Sequence, residues 1–128
     1  MRDEPLDTIS EVDGFVAQRM CFYAALLPKL QEVARRHGYA LPVHGSLQRD
    51  LDVVAVPWTD DASDPVALIK ALAERAGGFI PEGQAKTGLK PHGRLAVTIY
   101  LGGQGGYIDL SVMPRAALAE PTKEIPNG

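Results

Sequence analysis

Two carboxylates, Asp50 and Asp52, stand at the entrance to an apolar run, LDVVAVPW, from Leu51 to Trp58. Side chains alternate across a strand, so both acids project to one face, with Cα atoms about 6.5–7 Å apart. Like charges so placed repel, and without a counter-ion one of the pair tends to hold its proton near neutrality. A shared divalent cation removes that conflict, and oxygen ligands favour Mg²⁺ or Mn²⁺. A third acid, Asp109, lies inside a second apolar run, between Ile108 and Leu110. A charge is seldom placed in a strand interior without a partner. If the two strands pair, Asp109 completes a three-carboxylate cluster able to hold two cations about 3.5–4 Å apart for in-line phosphoryl chemistry. The plainer alternative is solvated acids at a strand mouth, with Asp109 on a strand edge facing water.

Gly45 and Ser46 come just ahead of the acidic pair. A glycine lets the backbone approach a phosphate closely, and a serine hydroxyl with turn N–H groups can bind its oxygens. A phosphate grip, two metal ligands and a third acid on a neighbouring strand together suit a nucleoside triphosphate. Lys86, Lys90, His92 and Arg94 lie in or beside a long Gly-, Pro- and Lys-rich stretch. They form either a basic wall toward the triphosphate, with Lys90 and Arg94 as phosphate ligands, or an ordinary solvated loop. Arg49 either neutralises Asp50 or touches a phosphate. His44 either lines the site or makes a structural hydrogen bond. The three histidines lack the spacing of a zinc site. GGQGG at 102–106 has no lysine and reads as a hairpin turn, not a P-loop. Trp58 reads as packing on the second helix rather than stacking on a base, and Cys21 as core or partly buried.

The elements that must hold these residues follow from periodicity. A helix is expected from Ser10, with Asp13 completing a capping box. Its stripe is Val12, Val16, Met20, Tyr23, Leu27, Leu30 and Val33. Pro28 predicts a kink, or a second helix that it opens. Gly38 is the stop. Tyr39 to Val43 is a short strand, and Leu51 to Trp58 a strand covered on both faces. Asp64 and Pro65 open a second helix, with Val66, Ile69, Leu72, Ala73 and Ala76 on its buried face. Arg94 to Leu101 and Tyr107 to Met113 form a hairpin. The order predicts an α/β (α+β) domain: a small mixed β-sheet with helices packed on one face. The domain spans 10–119, between a flexible arm at 1–9 and a flexible tail at 120–128.

The chain has 128 residues, 13 basic and 16 acidic, for a formal charge of −3. That length closes one core, and the charge argues against coating nucleic acid through a net field. One Cys forms no internal disulfide, which fits a reducing, cytoplasmic setting. No apolar stretch approaches the roughly 18 residues of a membrane helix, and the acidic N-terminus is no secretory signal.

HGSLQRDLDVVAV at 44–56, followed by YIDLSVMP at 107–114, resembles the nucleotidyltransferase superfamily with the polymerase-beta-like fold. The likeness covers roughly residues 38 to 114. It is that of a minimal member, of the kind found in bacterial and phage genomes. The resemblance implies that Gly45 and Ser46 form the phosphate-binding turn and that Asp50 and Asp52 hold the metal. It also implies that Asp109, as the third carboxylate, helps activate the attacking hydroxyl. Only Leu47, Gln48 and Arg49 separate Ser46 from Asp50, a shorter spacer than the family commonly has. The expected activity is Mg²⁺- or Mn²⁺-dependent transfer of a nucleoside monophosphate from a nucleoside triphosphate to a hydroxyl on a protein, an RNA or a small molecule. A catalytically inactive binding or inhibitory module on the same fold is the alternative, and a metal-dependent phosphohydrolase a weaker one. Phosphatases of the haloacid dehalogenase type also carry Asp-x-Asp, but there the apolar strand precedes the first Asp. A homodimer or a helical partner protein is expected to use the edge formed by Phe15, Phe22 and Leu26.

Overall fold

A single helix, α1, occupies Glu4–Arg36 in the computed structural model, which describes residues 4–81, 93–103 and 106–115, with side chains from Gly14 onward. It starts ahead of Ser10, so the Ser10–Asp13 pair lies within the helix rather than at its cap, and residues 4–9 are helical rather than an arm. Pro5 falls in the first turn, where its missing N–H breaks no bond. Residues 1–3 and the expected tail lie outside the described residues. The helix also runs through Pro28 instead of dividing there. An interior proline costs about 3 kcal/mol. Tyr23, Leu26, Leu30, Val33 and Ala34, on either side of it, are all buried. At about 1.5–3 kcal/mol for each large apolar side chain, their burial outweighs that cost.

Strand β1 is Tyr39–Ala40, shorter than expected because Pro42 has no N–H for the ladder. The chain nonetheless stays beside β2, Leu51–Pro57, through a hydrogen bond from Val54 N to Pro42 O and a bridge between Val43 and Val53. Helix α2, Pro65–Ala76, begins where the Asp64 side chain accepts a bond from Val66 N and ends at a left-handed Gly77. Strands β3, Leu95–Tyr100, and β4, Tyr107–Val112, are the remaining elements among the described residues. The sheet order is β1-β2-β4-β3, with β2 and β4 parallel and the other pairs antiparallel. This is the expected small α+β fold with a mixed sheet.

One face of the sheet is dry. Leu51, Val53 and Ala55 of β2, Ile108, Leu110 and Val112 of β4, and Val97 and Ile99 of β3 join residues of both helices in one buried cluster. The alternate residues are only half-buried, Asp52, Val54, Asp109, Ser111, Ala96 and Thr98 among them. The expectation that β2 is covered on both faces therefore fails, since both helices serve one side.

Several expected packing positions shift. Leu26 is buried, while Phe15 and Phe22 are exposed. Val66 is exposed, and Leu68 takes the core position on α2. Cys21 is exposed, and Trp58 is 79% exposed rather than packed on α2. No helix among the described residues is long and apolar enough to cross a membrane.

Candidate functional site

The parallel pairing of β2 with β4 sets Asp52 directly opposite Asp109, and the antiparallel pairing sets Thr98 opposite Asp109 on the other side. The three residues form one row across three strands on the open face. Asp50 lies in the bend just ahead of β2 rather than in the strand, and its carboxylate nevertheless joins the other two. Asp50, Asp52 and Asp109 each present a carboxylate oxygen within 4.8 Å of the others, and all three are half-buried. The acidic triad is thus close enough to bind a metal ion.

Electrostatics within the row are strained. Burial pushes the Asp109 carboxyl up to about 6 from its ordinary 3.8, a hydrogen bond shared with Asp50 adds to the rise, and the charges of Asp50 and Asp52 add more. The Thr98 hydroxyl, donating to Asp109 Oδ1 at 3.1 Å, pulls the other way. Asp52 is also raised, by burial first and by Asp50 next, with His44 opposing. The larger rise therefore falls on Asp109, with Asp52 raised as well. A divalent cation would relieve the same repulsion.

The glycine turn packs against this row. His44 N donates to Asp52 O at 2.6 Å, and Gly45, at φ +127°, lies so close that a Cβ there would come within 3.3 Å of Asp52 Cβ. The short spacer thus brings Gly45 beside the acids, with Leu47 in the left-handed region at φ 69°. Ser46 is exposed, and its hydroxyl accepts a bond from Gln48 N within its own turn at 3.3 Å. Arg49 is exposed, and no ion pair among the described residues joins it to Asp50. Arg94 reaches Ser111 Oγ at 3.1 Å, one same-face position along β4 from Asp109. Lys90, with Lys86 and His92, lies outside the described residues.

Two features escaped the sequence reading. Phe79 bridges to Tyr100 outside the named strands, and Tyr100 pairs with Tyr107, so three rings stand side by side with centroids 5.9 and 6.0 Å apart. Tyr107 and Tyr100 are two residues from Asp109 and Thr98, hence on the open face beside the acids. Phe79 and Tyr100 are exposed. The second feature is Tyr23. It is fully buried, yet its hydroxyl donates to Arg49 O at 3.0 Å and accepts from Tyr107 N at 3.3 Å. A tyrosine in an amphipathic stripe reads only as core, and nothing in the sequence marks its partners. A groove of about 420 Å³, lined by Tyr39 and Trp58 among others, lies toward the opposite end of β2 and contains none of the acids.

No family model, curated protein or solved structure matches this chain.

Proposed function

We propose that the protein is a Mg²⁺- or Mn²⁺-dependent nucleotidyltransferase acting on a nucleoside triphosphate. The observation that carries this reading is the convergence of Asp50, Asp52 and Asp109 on one open sheet face with a glycine turn pressed against Asp52. Three carboxylates suit a hard cation better than any softer metal. When bound, the cation supplies charge neutralisation at the α-phosphate and at the departing pyrophosphate. Asp50 and Asp52 would hold it, and Asp109 would complete the set. The backbone at Gly45 would meet the phosphates, with Ser46 contributing its hydroxyl once released from its own turn. Arg94 sits on the same face and would meet an outer phosphate, as would Arg49 from the turn. The exposed rings of Tyr100 and Phe79 offer an apolar surface to a base. In the reaction an acceptor hydroxyl oxygen bonds to the α-phosphorus and the bond to the bridging oxygen breaks. Pyrophosphate departs, and the hydroxyl proton passes to Asp109. Most of the catalysis is positioning and charge neutralisation. The single exposed Cys21 suits a reducing, cytosolic setting.

The test is Asp52→Asn. It should abolish Mg²⁺-dependent transfer, read as nucleotide-modified products by mass spectrometry, while circular dichroism stays that of wild type. Undiminished transfer after that change removes the site. Tight triphosphate binding without turnover in the wild type would identify a binding module instead, and free phosphate or monophosphate without an adduct a phosphohydrolase.

A further inference from the structure

We infer that Tyr23 is a positioning residue whose hydroxyl staples the two chain segments that carry the acidic triad. This rests on the metal-binding reading above and deepens it. Arg49 immediately precedes Asp50, and Tyr107 lies two residues before Asp109. One hydroxyl bonds both, donating to the Arg49 carbonyl and accepting from the Tyr107 amide. The two segments meet at the N-terminal ends of β2 and β4, where the ladder begins with Leu51 opposite Ile108. Asp50 lies ahead of that first pair, so the ladder itself does not fix its distance from Asp109. The staple does.

The surroundings are built for this contact. The ring is fully buried in the core, which fixes where the hydroxyl sits. Gly106, at φ +79°, leaves the space that the hydroxyl fills, and a Cβ there would collide with it and approach Arg49 O at 3.6 Å. Burial pushes the Tyr23 hydroxyl's pKa up, so it keeps the proton it donates. Arg19 Nε also donates to Gln48 O at 3.0 Å, so two side chains of α1, one turn apart, hold consecutive carbonyls of the loop. The long helix thereby helps to set the distance between Asp50 and Asp109.

The test compares Tyr23→Phe with Tyr39→Phe. Tyr39 is an equally buried tyrosine whose hydroxyl donates to Ser63 O at 2.6 Å, toward the other end of β2. Both variants lose one hydroxyl and keep the ring. Calorimetry with Mn²⁺ alone should give about tenfold or greater weakening for Tyr23→Phe, and a change under twofold for Tyr39→Phe. Amide exchange of the metal-free protein is the second measurement. In Tyr23→Phe, residues 51–52 and 108–109 should lose protection relative to 54–55 and 111–112. Gly106→Ala, which displaces the hydroxyl from the opposite side, should reproduce both effects if Tyr23→Phe proves too unstable to purify. Wild-type Mn²⁺ affinity in Tyr23→Phe, or loss of protection spread evenly along the sheet, overturns the staple. If the wild type itself binds no Mn²⁺, the metal reading falls, and the exchange pattern alone decides on Tyr23.

Discussion

Asp109 is where competing demands on a single residue are sharpest. A carboxyl whose folded pKa is raised binds its proton more tightly in the native state. Its contribution to stability is therefore full below the ordinary 3.8 and is lost as pH rises through about 6. Asn imitates the protonated form. In the absence of metal, Asp109→Asn should match wild type at pH 4 and exceed it at pH 7.5. After discounting for solvent screening, the gain is about 1 kcal/mol, or about 3 °C in Tm. Adding Mn²⁺ at pH 7.5 should raise the wild-type Tm and leave that of the variant unmoved. The same proton competes with the cation, so wild-type Mn²⁺ affinity should weaken as pH falls below about 6. A variant less stable than wild type at pH 7.5 would show that the repulsion is not there. At this scale the sequence was partly readable, because Asp50 and Asp52 are close in the chain and an isolated Asp109 demands a partner, although Asp50 falls just outside β2, where strand alternation does not govern it. The register that sets Asp52 against Asp109 was not readable, since pairing depends on contacts between distant segments.

Among the elements, α1 departs furthest from its local signals. Local capping and proline rules place its start at Ser10 and a break at Pro28, yet the helix passes through both. Packing of the Tyr23 to Ala34 face overrides propensity, as it does for most helices in globular proteins. Pro28 is exposed. Pro28→Ala restores one backbone hydrogen bond and should stabilise the fold by about 1–3 kcal/mol. A higher urea midpoint with an unchanged slope is the expected measurement. A lower midpoint would mean that the proline shapes the helix for its seat on the sheet. The reading of β2 failed for a related reason. An unbroken apolar run suggests burial on both faces, but Val54 and Val56 are half-buried on the open side, where nothing in their side-chain types distinguishes them from Val53. By contrast, the ends of α2 were legible to the residue, because Asp64 and Gly77 act through their own backbone neighbours.

For the whole molecule, the sheet divides the protein into a dry side holding both helices and an open side holding the acids. Trp58 follows Pro57 at the far end of β2 from Asp52, and it is largely exposed. As the single tryptophan, it reports on that end alone. Its emission should resemble that of indole in water, be quenched freely by acrylamide, and stay constant on Mg²⁺ titration. A blue-shifted or Mg²⁺-sensitive signal would place it elsewhere. The fold class was legible because element order and type survive errors at their boundaries. The parallel β2–β4 contact has one more implication. Asp52 and Asp109 belong to distant stretches of chain, and β4, the last strand among the described residues, is inserted between β2 and β3. A ribosome that has not yet released the C-terminal third makes a chain with both helices and half a sheet but no third acid. If the triad holds a cation as proposed, the complete ligand set forms only late in biosynthesis, and a protease cut ahead of Tyr107 should extinguish Mn²⁺ binding at once rather than by degrees.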